Sequence, residues 1–227
     1  MSSREFILNF HGIGEPHTGV AQDERPYWIS ESRFDEILDL VMHHPNGPDT
    51  VFTFDDGNVS DLSCAAPRLI ERGREGRFFI LTGRFDAPYY LSRDDTRCLH
   101  EMGMEIGLHG RDHVDWRRVS SAILAEETIA AREELAAVMN GSVTSVAIPF
   151  GAYNPAVIRH LRRCRFSRIY TSDGGATRVG ATIANRTSIR SDTSLDDVCA
   201  ILADRQPLIV SMRRLVSTQL RRHLIGR

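Results

Sequence analysis

The chain has 227 residues, of which 41% are hydrophobic and 26% are charged, and its formal net charge at pH 7 is −2. This length and composition suit one globular domain spanning residues 1–227. The charge provides no broad basic surface for nucleic acid, and an aromatic content of 7% leaves few side chains on which bases could stack. We therefore expect a single folded domain with no nucleic-acid partner.

The expected compartment follows from the apolar runs and the cysteines. No run of about 18 apolar residues occurs, so no transmembrane helix is expected. Apolar residues 6–8 are too few for a secretory signal, and the four cysteines form no C-x-x-C pair. These features predict a cytoplasmic protein with reduced thiols. Residues 207–227 mix apolar side chains with arginines, which fits either a terminal helix with a solvated basic face or a segment in peripheral membrane contact.

Short apolar runs alternate with helical patterns along the chain. The spacing of apolar residues predicts helices over 32–42 and 121–139, and Asn140-Gly141 ends the second. Strand-like runs occur at residues 6–10, 50–54, 77–81, 105–108, 144–148, 168–171 and, more weakly, 181–189. Strands that alternate with helices favour a parallel sheet covered by helices, and about seven strands are enough for a barrel-like closure.

Polar or turn-forming residues follow four of these strands at their carboxyl ends. They are His11, the pair Asp55-Asp56, His109 and the turn Pro149-Phe150-Gly151. Because the carboxyl ends of parallel strands meet at one edge of the sheet or barrel, we expect these residues to lie close together. The sequence therefore places a candidate site at this edge.

His109 and His113 have the H-x-x-x-H spacing, which can direct two imidazoles at one divalent cation. Taken alone, they could equally be two unrelated surface histidines, and Asp55-Asp56 before a glycine could be an ordinary turn. Together they predict a site in which Asp56, His109 and His113 bind the metal. Asp55 would then stay free to take a proton from water activated by the metal.

Three motifs in this region resemble those of the polysaccharide deacetylases with a NodB homology domain, which form carbohydrate esterase family four. TFDDG (53–57) is similar to the first motif, and HGRDH (109–113) is similar to the second, H-S/T-x-x-H, in an H-G variant. AIPFG (147–151) is similar to the third, R-x-P-x-G, except that Ala147 replaces the arginine. The order and spacing of the motifs agree with the family over residues 51–151.

This resemblance implies a fold, a reaction and a cofactor. The family fold is α/β, a distorted (β/α)7 barrel, and its members hydrolyse N-acetyl or O-acetyl groups of saccharides with a divalent metal. Zinc is the expected cation, while nickel, cobalt and manganese stay open as alternatives. The implied partner is an acetylated saccharide. By motif, the implied roles are Asp55 as base, Asp56, His109 and His113 as metal ligands, the backbone N–H of Phe150 as oxyanion donor, and Pro149 and Gly151 as its substrate-binding neighbours.

The expected general acid departs from the usual order of the family. Residues 207–215 contain no histidine, and His223 lies in a basic tail. The chain instead resembles the circularly permuted branch, whose acid histidine comes first in sequence, and this implies His11 as the group that protonates the leaving amine. The other interpretation of His11 is a buried histidine at the end of a strand.

Three further side chains are candidates for the same site. Arg186 either orients Asp55 in place of the missing motif-three arginine or meets substrate hydroxyls at the rim. Asp173 lies in a glycine-rich loop that either touches sugar or forms an ordinary turn. Trp116 either stacks on a sugar ring or packs under its loop.

Two other functions stay open at this point. An amidohydrolase acting on a small non-sugar amide would use a related site. A catalytically silent carbohydrate-binding domain would explain the missing motif-three arginine, although the complete set of carboxylates and histidines weighs against it. A cytoplasmic location would favour a nucleotide-linked, lipid-linked or soluble saccharide precursor over a finished external polymer, and the pattern indicates no oligomeric state.

Overall fold

The computed structural model describes residues 3–205 of the chain. Within that range the strands are β1 (Arg4–Phe10), β2 (Thr50–Asp56), β3 (Gly76–Leu81), β4 (Glu105–Gly110), β5 (Ser145–Ala147), β6 (Arg168–Thr171), β7 (Thr177–Arg178), β8 (Ile183–Asn185) and β9 (Thr187–Ser188). The α-helices there are α1 (Glu31–His43), α2 (Ala66–Glu71), α3 (Arg93–Glu101), α4 (Ser121–Ala125), α5 (Ala131–Met139), α6 (Pro155–Arg163) and α7 (Leu195–Leu202). Residues 207–227, with His223 and the two interpretations of that segment, lie outside the described residues.

The parallel strands form a nearly closed barrel. Neighbouring strands pair in the order β1, β2, β3, β4, β5, β6 and β8. Arg186 alone separates β8 from β9, and β8 pairs with β6 while β9 pairs with β1. Residues 183–188 therefore close the barrel as one interrupted strand, while antiparallel β7 pairs with the first residues of β1. The predicted distorted barrel with seven parallel positions is confirmed.

Strand periodicity divides each strand between the barrel interior and the outer face that the helices cover. Five residues from different strands form a separate apolar cluster inside the barrel: Ile7, Phe79, Ala147, Tyr170 and Ala184. Two residues further along the same faces are Asn9 on β1 and Arg186 after β8. The guanidinium of Arg186 lies 5.3 Å from the centre of the Phe79 ring. A buried polar layer thus rests on an apolar floor near the carboxyl ends of the strands.

Helix α1 shows how the outer layer packs on the barrel. Ser30 caps the helix, because its side chain accepts a hydrogen bond from the backbone N–H of Arg33. The buried residues recur at helical spacing, at Phe34, Ile37, Leu38 and Val41. Each fully buried side chain of this size contributes at most about 1.5–3 kcal/mol of hydrophobic free energy. This stripe holds the helix against the strands that carry the site.

The predicted helix over 121–139 is present as one continuous helical stretch. Ser120 caps its start, and Asn140 ends it with a left-handed φ of 49°. Between α4 and α5 the stretch contains a π turn, Glu126–Ala130, that the sequence pattern did not predict. Such an insertion changes which side chains face inward, and Glu127 is buried here.

Two further observations concern strand ends and membranes. The predicted strands stop before the candidate residues, but pairing of β2 with β3 continues to Asp56, and β4 extends to Gly110. Asp55, Asp56 and His109 therefore lie within the last two residues of their strands and not in loops, which gives them a fixed backbone. In residues 3–205 no helix is both long enough and apolar enough to cross a bilayer.

Candidate functional site

Asp56, His109 and His113 converge at the carboxyl edge of the barrel. Each offers one ligand atom, and the three atoms lie within 4.8 Å of one another. Oδ1 of Asp56 is 3.6 Å from Nε2 of each histidine. This oxygen is buried, and among the described residues it has no hydrogen-bond donor. A carboxylate oxygen and two imidazole nitrogens arranged in this way fit a divalent cation.

Contacts to the second ring nitrogens orient the two histidines. Nδ1 of His109 donates a hydrogen bond to the Ala147 carbonyl at 3.0 Å, which leaves Nε2 to face Asp56. Nδ1 of His113 lies 3.5 Å from a carboxylate oxygen of Glu24. These contacts select the Nε2 atoms as the ligand atoms of both rings.

The pKa values of the two histidines move in opposite directions. Burial lowers the pKa of His109 to about 4, although Asp55 and Asp56 act in the other direction. His109 is therefore neutral near pH 7, which is the form that binds metal. Burial also opposes protonation of His113, but the hydrogen bond to Glu24 and the charge of Asp56 outweigh it and raise the pKa.

Three residues at this edge have a left-handed backbone. The φ angles are 79° at Asp56, 54° at His113 and 57° at Phe150. Positive φ is uncommon for residues other than glycine, and it persists only where the surrounding structure holds it. The strained positions belong to the end of β2, to the loop after β4 and to the turn after β5. Their convergence marks this edge as a functional site.

Asp55 is held in a buried ion pair beside the cluster. Nη1 and Nη2 of Arg186 donate to its two carboxylate oxygens at 2.6 and 2.8 Å, and Nδ2 of Asn9 donates to Oδ2 at 3.0 Å. Burial opposes ionisation of Asp55, but the guanidinium of Arg186, assisted by His109, more than offsets it and lowers the pKa well below its usual range. Asp55 is therefore ionised at neutral pH. The Arg186 side chain is buried and does not lie on the rim.

A cavity of about 290 Å³ opens above these carboxylates and histidines. His11 and Tyr27 line it, and their ring centres are 4.8 Å apart. Nδ1 of His11 is buried and has no hydrogen-bond partner among residues 3–205. A second cavity of about 640 Å³ adjoins the first and shares Tyr27 and Phe150 with it.

Comparison with known proteins decides the family. The family model described as polysaccharide deacetylase matches residues 43–169. The chain belongs to the polysaccharide deacetylase family. Membership supports deacetylation of polysaccharide as the activity class and an acetylated saccharide as the substrate. No curated protein sequence matches the chain.

Several solved structures share the fold of this chain. The Streptococcus pyogenes deacetylase PplD, solved in complex with acetate, is 18% identical, with a TM-score of 0.75 over 91% of this chain and 100% of that one. IcaB from Ammonifex degensii is 21% identical, with a TM-score of 0.71 over 90% and 97%. A polysaccharide deacetylase from Bacillus cereus is 15% identical, with a TM-score of 0.75 over 88% and 69%.

The remaining predicted residues of this deacetylase lie around the cavities. Phe150 is 59% exposed and its ring lies 4.2 Å from the His113 ring, whereas its chain neighbours Pro149 and Gly151 are buried. Asp173 lines the larger cavity and accepts a hydrogen bond from the Tyr153 hydroxyl at 2.6 Å.

The sugar-stacking interpretation of Trp116 is wrong. The side chain is 2% exposed, and its Nε1 donates to Glu127 at 3.3 Å. The alternative, that it packs under its loop, is correct. The exposed ring beside the deacetylase site is that of Phe150 instead.

Sequence reasoning missed two residues that contact the site, Asn9 and Glu24. Asn9 had a usable signal, because a single polar residue in the apolar run 6–10 indicates a buried partner. Glu24 comes from the loop after β1, where no periodicity connects it with His113. Only the folded loop brings Glu24 to the candidate metal site.

Proposed function

We propose that this polysaccharide deacetylase is a metal-dependent hydrolase that removes N-acetyl groups from a saccharide. The observation that carries the proposal is the convergence of Asp56, His109 and His113 beside the ionised carboxylate of Asp55. A domain that only binds carbohydrate has no need of an ionised carboxylate placed beside a metal site to accept a proton from water. This difference favours an enzyme over a silent binding domain.

The donor set suits zinc, because two imidazoles and one carboxylate leave coordination positions open for water and substrate. Nickel, cobalt and manganese accept the same donors, so the choice of zinc rests on chemistry common to such sites. When bound, the cation would polarise the acetyl carbonyl and lower the pKa of the attacking water.

Three protein groups around the metal position have separate roles in the reaction. Asp55 accepts the proton from the attacking water as the new C–O bond forms. The backbone N–H of Phe150 donates to the carbonyl oxygen as that oxygen gains negative charge. His11 then donates a proton to the leaving amine nitrogen as the C–N bond breaks, so acetate and a free amine result. The circularly permuted origin of His11 stays a prediction.

The two adjoining cavities support a saccharide over a small non-sugar amide. The smaller one is lined by His11 and by the candidate metal ligands, and it would hold the acetylated sugar unit. The larger one is lined by Asp173, Arg190 and Thr193, which offer hydrogen bonds to the hydroxyls of a neighbouring unit. The complex of PplD with acetate is in accord with the proposed product. A cytoplasmic location stays a prediction.

The first prediction concerns the metal. Purified protein is expected to contain about one zinc ion per chain and to release acetate from N-acetylglucosamine oligomers, and chelation should abolish the release. Asp56→Asn keeps a side chain that tolerates the left-handed backbone but removes the charge that binds the cation. We expect it to lose metal and activity together, as measured by elemental analysis and acetate assay.

Asp94→Asn is the matched control, because this carboxylate is 87% exposed and belongs to α3. It should keep both metal and activity. Wild type that binds no divalent ion would sink the proposed function. Wild type that binds metal but hydrolyses only small amides would favour the alternative amidohydrolase.

The second prediction concerns His11. His11→Gln should lower kcat for N-acetylglucosamine oligomers by about 10²-fold, because an amine leaving group needs a proton. Hydrolysis of 4-nitrophenyl acetate should fall much less, since a nitrophenolate leaves without one. Rates on both substrates measure this difference, and His100→Gln on the surface serves as the control. Equal losses on the two substrates would contradict the role of acid.

A further inference from the structure

Glu127 is not one of the three candidate metal ligands, but it contacts the turn that joins His109 and His113. It is 2% exposed and belongs to the π turn between α4 and α5. Its Oε2 accepts from the backbone N–H of Arg111 and its Oε1 from that of Asp112, both at 3.0 Å. The indole of Trp116 donates a third hydrogen bond to Oε2 at 3.3 Å. One buried carboxylate thus receives three N–H groups from a single loop.

The same turn carries an unfavourable backbone that needs such support. His113 has a φ of 54°, and Gly110 has a φ of 100°. A Cβ at Gly110 would lie 2.7 Å from Oε2 of Glu127, so a side chain there would collide with the carboxylate. On the other side, the backbone N–H of Gly83 donates to the Arg111 carbonyl at 3.0 Å. Glu127 and Gly83 hold the two faces of the turn between His109 and His113.

We propose that Glu127 is a positioning residue for metal binding, and this inference rests on the proposed function. The carboxylate fixes the Arg111 and Asp112 amides, and through them it sets where His113 places Nε2 relative to His109 and Asp56. Within residues 3–205 no cationic side chain pairs with Glu127. Its carboxylate instead accepts hydrogen bonds from the N–H groups of this loop. The π turn brings the carboxylate inward to them.

Glu127→Gln tests this inference, because it keeps the side-chain volume but turns one acceptor into a donor. The amide NH₂ then faces a backbone N–H, so one of the hydrogen bonds from the backbone amides of Arg111 and Asp112 is lost. With Co²⁺ as the probe, we expect the Kd to rise about 10–100-fold. The visible absorption spectrum of the bound cobalt should also change, since it reports the geometry of the ligands. Glu126→Gln, at the exposed neighbouring position, should alter neither quantity.

Urea unfolding of the metal-free proteins separates positioning from folding. An unchanged cobalt Kd and spectrum in Glu127→Gln, with a loss of folding stability alone, would overturn the inference while leaving the proposed function intact. Glu127→Asp serves as a second variant, because its shorter carboxylate should recover part of the affinity that Glu127→Gln loses. Wild type that binds no Co²⁺ would overturn the proposed function itself and the inference with it.

Discussion

Replacing Asp55 with asparagine is expected to lower kcat for acetate release from N-acetylglucosamine oligomers by about 10²–10⁴-fold. The carboxamide cannot accept the proton of the attacking water, whereas the cluster of Asp56, His109 and His113 stays complete. Metal content should therefore remain close to that of wild type, which elemental analysis can check. Turnover should therefore fall without loss of metal in Asp55→Asn, whereas both should fall in Asp56→Asn.

The substrate dependence of Asp55→Asn gives a second check. Both the amide and 4-nitrophenyl acetate need an activated water, so both rates should fall, in contrast to His11→Gln. Because Arg186 loses its buried anion in this variant, rates should be measured well below the unfolding temperature, with Asp94→Asn as the control. Turnover within tenfold of wild type would show that Asp55 is not the base. Loss of metal along with turnover would instead place Asp55 among the ligands.

The barrel and most of the site could be predicted from the sequence because they depend on patterns that are local in the chain. Apolar runs alternating with helical stretches indicate a parallel sheet, and a parallel sheet gathers its carboxyl ends at one edge. Asp55, Asp56, His109 and the turn at Phe150 each lie directly at such an end. Their proximity therefore follows from topology, without knowledge of side-chain packing.

The parts that could not be predicted depend on contacts between distant segments. The weak run 181–189 gives no sign that Arg186 interrupts the closing strand, although the sequence does offer Arg186 as a partner for Asp55, and the two side chains do form an ion pair. Glu24 reaches His113 from an irregular loop, and its position depends on the whole path of that loop. The π turn that brings Glu127 inward departs from regular helical periodicity. The spacing of apolar residues in the sequence does not reveal such a departure.

Breaking the buried pair of Asp55 and Arg186 should have the largest effect on stability. Arg186→Met removes the guanidinium but leaves the Asp55 carboxylate buried on the apolar floor of the barrel. Removal of one partner from such a pair costs about 3–5 kcal/mol. Urea unfolding at pH 7 with chelator present measures this loss without a contribution from bound metal. The surface pair of Arg33 and Glu36 is the control, and Arg33→Met should cost about 0–1 kcal/mol.

The pH dependence of this loss identifies its electrostatic cause. In wild type the pKa of Asp55 is lowered from its ordinary value of 3.8, so the pair stabilises the fold above about pH 4 and loses this contribution as the pH falls. Without Arg186, burial raises the pKa of Asp55 instead. Lowering the pH then reduces the destabilisation of the variant, because Asp55 becomes protonated and neutral. The stability difference should therefore shrink as the pH is lowered, and Asp55→Asn combined with Arg186→Met should recover part of it at pH 7. A loss that is the same at pH 7 and pH 4.5, with no recovery in the double variant, would show that Arg186 acts through packing alone.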